Sequence, residues 1–396
     1  MAHKNKVILN LHNDPKHHTS HRLFSCKNQK FRVLLVAVAF WGAFMVISDI
    51  NEFSCLKPTK KTQCTPVDNV IFLKTHKTGS TTIANVMYRY SKSNRLKVAL
   101  PGCDHRFCFP YKFTENFLYN HKVNDTYNML FHHAVFHKQN MIKILDKGNT
   151  KIVTILREPY SQFDSAAQYF NFKINYKLSG KLPVLDDLFK MSDEDLTAYI
   201  KSQKVDGYGA YSLTKNPNAF DMGFDPWNET SEYIKTVLKT IEEDFNLVMI
   251  TEYMAESLVL LKNELCWDFK DIVFFHHNAR LTKEINTNYV QNIKQRVLNW
   301  NKLDVAIYNY FNKTFWEKIK YSDNSFISDV EKLKKFNHLL QQECTTVLNN
   351  ATVTPNANLL LSDFKIAQKF EDFCSDLLIE EILFTNVLKK AKDENL

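Results

Sequence analysis

Val70-Ile-Phe-Leu-Lys-Thr-His-Lys-Thr-Gly-Ser-Thr-Thr82 reads as a short apolar strand that runs into a basic, hydroxyl-rich turn and then opens a helix. Such a turn aims backbone N–H groups at an anion, and the helix behind it adds the positive end of its dipole. Lys77 sets a mobile cation where negative charge develops on a departing phosphate. The stretch is not a nucleoside-triphosphate loop. The Walker pattern starts with Gly and ends in Gly-Lys-Ser/Thr, whereas here His76 precedes Lys77 and the only glycine, Gly79, follows it. A plain strand-turn-helix corner would not need two lysines and four hydroxyls, so Lys74, Thr75, His76, Lys77, Thr78, Gly79, Ser80 and Thr81 are candidate contacts of a phosphate-bearing ligand other than ATP.

A second segment has the same build. Lys151-Ile-Val-Thr-Ile-Leu-Arg-Glu-Pro-Tyr-Ser-Gln-Phe-Asp-Ser165 is a β-branched strand, then Arg157, a proline-marked turn and a helix start. Arg offers a planar fork to phosphate, and a Ser in the first turns of the next helix adds a hydroxyl donor. The competing reading is a surface pair between Arg157 and Glu158. Together the two segments resemble the membrane-bound sulfotransferases, which bind 3′-phosphoadenosine-5′-phosphosulfate (PAPS), and Leu73-Lys-Thr-His-Lys-Thr78 is most similar to the galactose-3-O-sulfotransferase family. The likeness extends through Gly207-Tyr-Gly-Ala-Tyr211, Asn218-Ala-Phe-Asp-Met-Gly-Phe-Asp225, the stretch 252–267 and Asn278-Ala-Arg280, covering roughly 69–320. It implies an α/β sulfotransferase fold with a P-loop-like parallel sheet. It also implies PAPS as co-substrate without a metal, with Arg157 and Ser165 on the 3′-phosphate.

Transfer to a hydroxyl needs a base for its proton. Tyr127-Asn-Met-Leu-Phe-His-His-Ala-Val-Phe-His137 supplies three histidines after an apolar run. The resemblance favours His133, which Phe136 follows three residues later; His137 is the runner-up, and His132 points to the opposite face if the strand continues. Neutral imidazole accepts such a proton near neutral pH at low cost. His76 is expected to contact the phosphosulfate or cap its turn. Lys77 is expected to act catalytically on the bridging oxygen.

Of the net charge of +8, residues 1–32 carry seven cations against the single acid Asp14, leaving +6 there and +2 elsewhere. A general nucleic-acid surface is therefore not expected. This tail precedes an uncharged apolar run over 33–47, short for a membrane helix, with Asp49 and Glu52 after it. By the positive-inside rule it reads as the transmembrane signal anchor of a type II protein whose body is luminal, and its shortness suits a Golgi membrane. A cleaved signal peptide is the weaker reading, because the charged region before the apolar core is too long. Asn124, Asn228, Asn312 and Asn350 head N-glycosylation acceptors downstream of it. Cys26 falls on the cytosolic side, leaving Cys55, Cys64, Cys103, Cys108, Cys266, Cys344 and Cys374, an odd number in an oxidising lumen. One thiol is then free or bridges two chains, and Cys55 or Cys64 in the stem would suit a homodimer. Without a Cys-x-x-Cys pair and matching histidines, no zinc site is expected.

The chain therefore divides into a cytosolic tail 1–32, the anchor 33–50, a polar stem 51–68, a sulfotransferase domain 69–320 and a helical extension 321–396 for which the resemblance implies nothing. Strands are expected at 70–73, 151–156 and 247–251, and helices at 80–92, 161–171 and 256–265. Mostly helical segments follow at 289–345 and 359–392, with a loop near 349–358. Ligands on such sheets bind at the carboxyl ends of the strands, where both phosphate segments end. The stripe of Tyr308, Phe311 and Phe315 reads as core, and Tyr208, Tyr211, Phe220 and Trp227 as core or sugar platforms. The expected activity is transfer of the PAPS sulfonate to a hydroxyl, on the resemblance the 3-hydroxyl, of a terminal galactose on a glycolipid such as galactosylceramide or on a glycan. The alternatives are a glycosaminoglycan sulfotransferase, which would want a basic groove, and an inactive membrane-anchored glycan-binding protein on the same fold. A luminal kinase fits least, for want of Walker glycines and an acidic metal pair.

Overall fold

The computed structural model describes residues 35–38, 43–46, 64–145, 148–178, 180–202, 213–275, 287–348 and 369–394. In the first of its two compact units, Met1–Thr62, the described residues are two strands, β1 (Leu35–Val38) and β2 (Ala43–Val46), paired antiparallel. The eight residues are thus extended rather than helical as expected of 33–50. Val and Phe carry strand preference as readily as an apolar helix. The rest of that run, the tail and most of the stem, including Cys55, lie outside the described residues. No helix among the described residues is long and apolar enough to cross a membrane.

The second unit, Gln63–Leu396, is built on a parallel sheet in the order β4-β3-β5-β6, with β3 at Val70–Leu73, β4 at Met129–Leu130, β5 at Lys151–Leu156 and β6 at Leu247–Ile250. Every residue of β3 and β6 is buried, the continuous apolar pattern of a parallel strand covered on both faces. Pairings Ile71↔Ile152 and Thr154↔Val248 fix the register, and the Thr154 hydroxyl donates to the Leu73 carbonyl at 2.9 Å. The connection from β3 runs to β4 on one side, while that from β5 runs to β6 on the other. The crevice beyond β3 and β5 is therefore the topological switch point of the sheet, the usual seat of a ligand.

The strands and helices stand close to where the sequence puts them. The helix after β3 is Ser80–Ser93; the one after β5 is Pro159–Tyr169, starting two residues early because Pro159 fits a first helical turn; the one after β6 is Met254–Leu265. The C-terminal region holds Thr287–Trp300, Lys302–Lys320, Phe326–Leu348, Phe370–Leu378 and Glu381–Asp393. Phe326, Leu333, Phe336, Leu340, Phe373, Leu377 and Phe384 enter the same apolar core as the sheet, as do Tyr308, Phe311 and Phe315. The division expected at residue 320 therefore does not divide the fold. A smaller apolar cluster joins Phe163, Phe172, Leu188, Leu196 and Trp300.

Three disulfides tie the unit: Cys64–Cys266, Cys103–Cys108 and Cys344–Cys374. Cys64 is thereby withdrawn from the interchain bridge considered for it. Its segment is already part of the body: Val67 N–H donates to Leu265 O at 2.9 Å, and the Trp267 indole donates to Val67 O at 3.0 Å.

Candidate active site

Residues 74–79 turn from β3 into the helix Ser80–Ser93 with Lys77 at φ 59° and Gly79 at φ 71°. A Cβ at Gly79 would press on Met254 Cε at 3.2 Å and Thr251 Cγ2 at 3.3 Å, so conformation and close approach both call for glycine there. The buried hydroxyls hold the turn in shape: Thr75 donates to Ile155 O at 2.6 Å, Ser80 donates to Thr75 O at 2.6 Å, and the Thr75 and Thr78 hydroxyls meet at 2.8 Å. Thr81 is exposed. No side chain caps the 14-residue helix, so its amino end is furnished for an anion by backbone N–H groups and dipole.

The end of β5 meets this turn directly. Arg157 Nη1 donates to Lys77 O at 3.2 Å, and the Thr251 hydroxyl, just past β6, sits within hydrogen-bond reach of both Thr78 O and Leu156 O, its single proton shared between them. Ser165 lies on the buried face of Pro159–Tyr169, and the Lys77 ammonium sits 3.6 Å from the centre of the exposed Tyr169 ring. Glu158, the residue considered as a surface partner of Arg157, has a role of its own. It caps the following helix by accepting Ser161 N–H at 2.9 Å, with Lys294 3.3 Å away. Burial pushes its carboxyl up, but the Ser161 hydroxyl and N–H, and then the Lys294 ammonium, together hold it below the usual range.

His76 is oriented by a residue 145 positions away. Asp221, fully buried at the end of the helix Pro217–Asp221, accepts the His76 backbone N–H at 2.7 Å and its ring Nδ1–H at 2.9 Å. A carboxylate fixes the ring proton on Nδ1 and leaves the Nε2 lone pair as the basic atom. No hydrogen bond among the described residues engages that Nε2. Phe109, Phe170 and the stacked ring of His133 surround the imidazole, with centroids at 4.6, 5.9 and 4.0 Å.

His133 has both ring nitrogens engaged. Nδ1 faces the Lys74 carbonyl at 3.0 Å, which can only accept, so it carries the proton, and Nε2 accepts from the Lys74 ammonium at 2.9 Å. Burial, then the neighbouring His76 and Lys74, holds its pKa well below the ordinary histidine value. Lys74, only 1% exposed, gives a second hydrogen bond to Glu381 Oε2 at 2.5 Å. Two of its three ammonium donors are thus used inside the protein. His132 faces the other way, its Nε2 3.0 Å from the Thr385 hydroxyl, and burial drives its pKa down to about 3. His137 caps the helix Lys138–Lys143 by accepting Asn140 N–H at 3.3 Å.

A buried polar shell holds this arrangement. Gln162 donates to His76 O at 2.8 Å and exchanges amide bonds with Asn218; Asn218 and Ala219 donate their backbone N–H groups to Asp304, both at 2.8 Å. Asp304 thereby caps the helix that carries Asp221, and burial raises its pKa to about 7. Gly223 (φ 81°) lets that helix end against Phe136 O, which a Cβ would strike at 2.4 Å. Sequence reasoning assigned no role to Asp221, Gln162, Asp304 or Glu381. Asp221 stood in a quoted stretch, but nothing local marks a pairing across 145 residues. Phe220 packs 5.7 Å from Phe109 on the rim of the site, while Trp227 packs 6.1 Å from Trp300 in the smaller cluster. Tyr208, Tyr211 and the 278–280 stretch lie outside the described residues.

The sequence model of the family described as galactose-3-O-sulfotransferase matches residues 18–362. The chain is similar to galactosylceramide sulfotransferase of Bos taurus, 30% identical over 285 residues that make up 71% of this chain and 65% of that protein. It is also similar to galactose-3-O-sulfotransferase 3 of Bos taurus (31% over 286 residues, 69% and 63% of the two chains) and to galactose-3-O-sulfotransferase 2 of Mus musculus (30% over 320 residues, 78% of each). The chain thus spans just under two thirds of the length of the galactosylceramide sulfotransferase it matches.

Proposed function

Because the chain belongs to the galactose-3-O-sulfotransferase family, we propose that it transfers the sulfonate of PAPS to a galactose hydroxyl, the 3-hydroxyl of a terminal galactose on a glycolipid or glycan. The observation that carries this reading is His76, inside the turn and paired with Asp221 from the helix Pro217–Asp221, which puts an oriented base within the same loop as the uncapped helix end. The residues present fit PAPS: an uncapped 14-residue helix with Lys77 beside it suits the phosphosulfate, and Arg157 with Ser165 suits the 3′-phosphate. When bound, PAPS supplies an activated sulfonate whose leaving group is adenosine 3′,5′-bisphosphate.

His76 Nε2 takes the proton of the acceptor hydroxyl, and Asp221 holds the ring tautomer and offsets the imidazolium that forms. Lys77 carries the cation that meets charge on the leaving phosphate oxygen. His133, the base implied by the family resemblance, instead packs against His76 as a neutral ring, since both its nitrogens are already bonded. Phe109, Phe170 and Phe220 form an aromatic wall for the apolar face of the sugar. The near-neutral body argues against a glycosaminoglycan chain as acceptor, and an oriented base argues against an inactive binding protein.

The setting we propose is the Golgi lumen, with residues 33–50 as the signal anchor of a type II protein. Disulfides suit an oxidising lumen. In lipid a two-stranded ribbon leaves both edges unpaired, so insertion of this run requires it to become helical. Asn124, exposed on a turn, and Asn228, whose Oδ1 accepts the Thr230 hydroxyl at 2.9 Å, are the favoured glycan sites. Asn312 sits within a helix with its Oδ1 buried, and Asn350 lies outside the described residues. Transfer of radiolabelled sulfonate from PAPS by the full chain to galactosylceramide, lactose-type glycans and heparan-type chains tests the activity. Label on galactose supports it; nucleotide binding without transfer to any acceptor refutes it.

A further inference from the structure

Glu381 stands on the helix Glu381–Asp393, beyond residue 362 where the family match ends, yet its carboxylate reaches Lys74 at the end of β3. The contact is buried, with Lys74 at 1% and Glu381 at 14% side-chain exposure. Burying an ammonium is costly unless it is paired and hydrogen-bonded. Glu381 supplies the charge, and His133 Nε2 supplies the second acceptor. Burial pushes the Glu381 carboxyl up, but the charge and hydrogen bond of Lys74 more than offset this and hold it below the usual range. Its Oε1 is buried without a hydrogen-bond partner, so the side chain is seated by Lys74 rather than by a network of its own. His133 in turn stacks on His76 at 4.0 Å, which places the Lys74 charge one ring away from the atom that must accept a proton.

We infer that Glu381 is a positioning residue of the sulfuryl-transfer site, seating Lys74 against His133 and offsetting its charge so that His76 can accept its proton. The inference rests on the sulfotransferase reading above. An uncompensated Lys74 ammonium would oppose the imidazolium that forms on His76, whereas the phosphate-binding turn would be unchanged. The effect therefore falls on kcat and not on nucleotide affinity.

The test compares full-chain Glu381→Gln, Lys74→Met, the double variant and the exposed control Glu380→Gln, with thermal unfolding of each. Glu381→Gln is expected to lower kcat about tenfold or more, with KM for PAPS and affinity for adenosine 3′,5′-bisphosphate within about twofold. The double variant, which removes both charges, is expected to be faster than Glu381→Gln alone; a structural ion pair can also recover when both partners go, so positioning is read from a recovery confined to kcat, with KM for PAPS unchanged and every variant folded at the assay temperature. Unchanged kcat in folded Glu381→Gln, or a double variant slower than both single variants, overturns the inference. If the wild-type chain binds the nucleotide but transfers to no acceptor, the sulfotransferase reading fails separately. The His133 Nδ1–H resonance then decides: displacement in Glu381→Gln and not in Glu380→Gln supports the pairing, and no displacement refutes it.

Discussion

Replacing Asp221 by Asn isolates the base. The carboxylate accepts the His76 backbone N–H at 2.7 Å and the ring Nδ1–H at 2.9 Å, and Asn has the same shape. Its one remaining oxygen can keep the backbone bond. Its amide nitrogen then faces Nδ1 as a donor, which drives the ring proton to Nε2 and puts an N–H where the acceptor hydroxyl needs a lone pair. The charge loss adds to this: at about 4 Å and an effective dielectric of about 20, carboxylate and imidazolium attract by about 4 kcal/mol. Allowing the amide dipole to return up to half leaves about 2–4 kcal/mol, or a fall in kcat of about 30-fold to 1000-fold. Initial rates with PAPS and a galactose-terminated acceptor measure it, and KM for PAPS should stay within about threefold because the phosphate turn is untouched. A kcat within about threefold of wild type, beside a His133→Ala variant that is dead, would return the base to His133 and refute the assignment made from geometry.

Lys77→Ala is expected to cost on the order of 10²-fold or more in kcat by the measure of other lost oxyanion donors, and single-turnover kinetics will show the loss in the chemical step. Replacing Cys64 and Cys266 together by Ser opens a loop spanning 202 residues, and chemical denaturation should register a loss of about 2–5 kcal/mol. Asp304 binds its proton more tightly folded than unfolded, its pKa raised from 3.8 to about 7. Its contribution is therefore full at pH below its unfolded value and is lost as pH rises toward about 7. Denaturation midpoints across that window should fall more steeply for wild type than for Asp304→Asn, and identical slopes would remove Asp304 as the cause.

Three of the four strands of the sheet were legible because they announce themselves locally, whereas the two-residue Met129–Leu130 was not among the expected strands. Val70–Leu73, Lys151–Leu156 and Leu247–Ile250 are apolar runs bounded by turn residues, and period and punctuation travel together along a few residues of chain. Arg157 and the 74–79 turn stand at strand ends, where the sequence puts them and where ligand chemistry usually collects. The division of labour inside the turn was not. Thr75 and Ser80 are the residue types of a phosphate cradle, but equally those that pin a tight turn, and only the carbonyls of Ile155 and Thr75 at 2.6 Å distinguish the two uses. Among the histidines, residue type says that a base is available and not which ring keeps a lone pair free. That choice is made by Asp221 and Lys74, one of them 145 residues from its partner. Cys64 shows the same gap in another form: its composition marked a stem, whereas its partner Cys266 makes it part of the body.

The pairing of Lys74 with Glu381 spans 307 residues, from the first strand of the sheet to a helix close to the end of the chain. Synthesis proceeds from the amino end, so the phosphate turn and its strand emerge long before their counter-charge. A ribosome that stalls before residue 381 releases a polypeptide able to lay down the sheet while one ammonium at its heart has no carboxylate to meet.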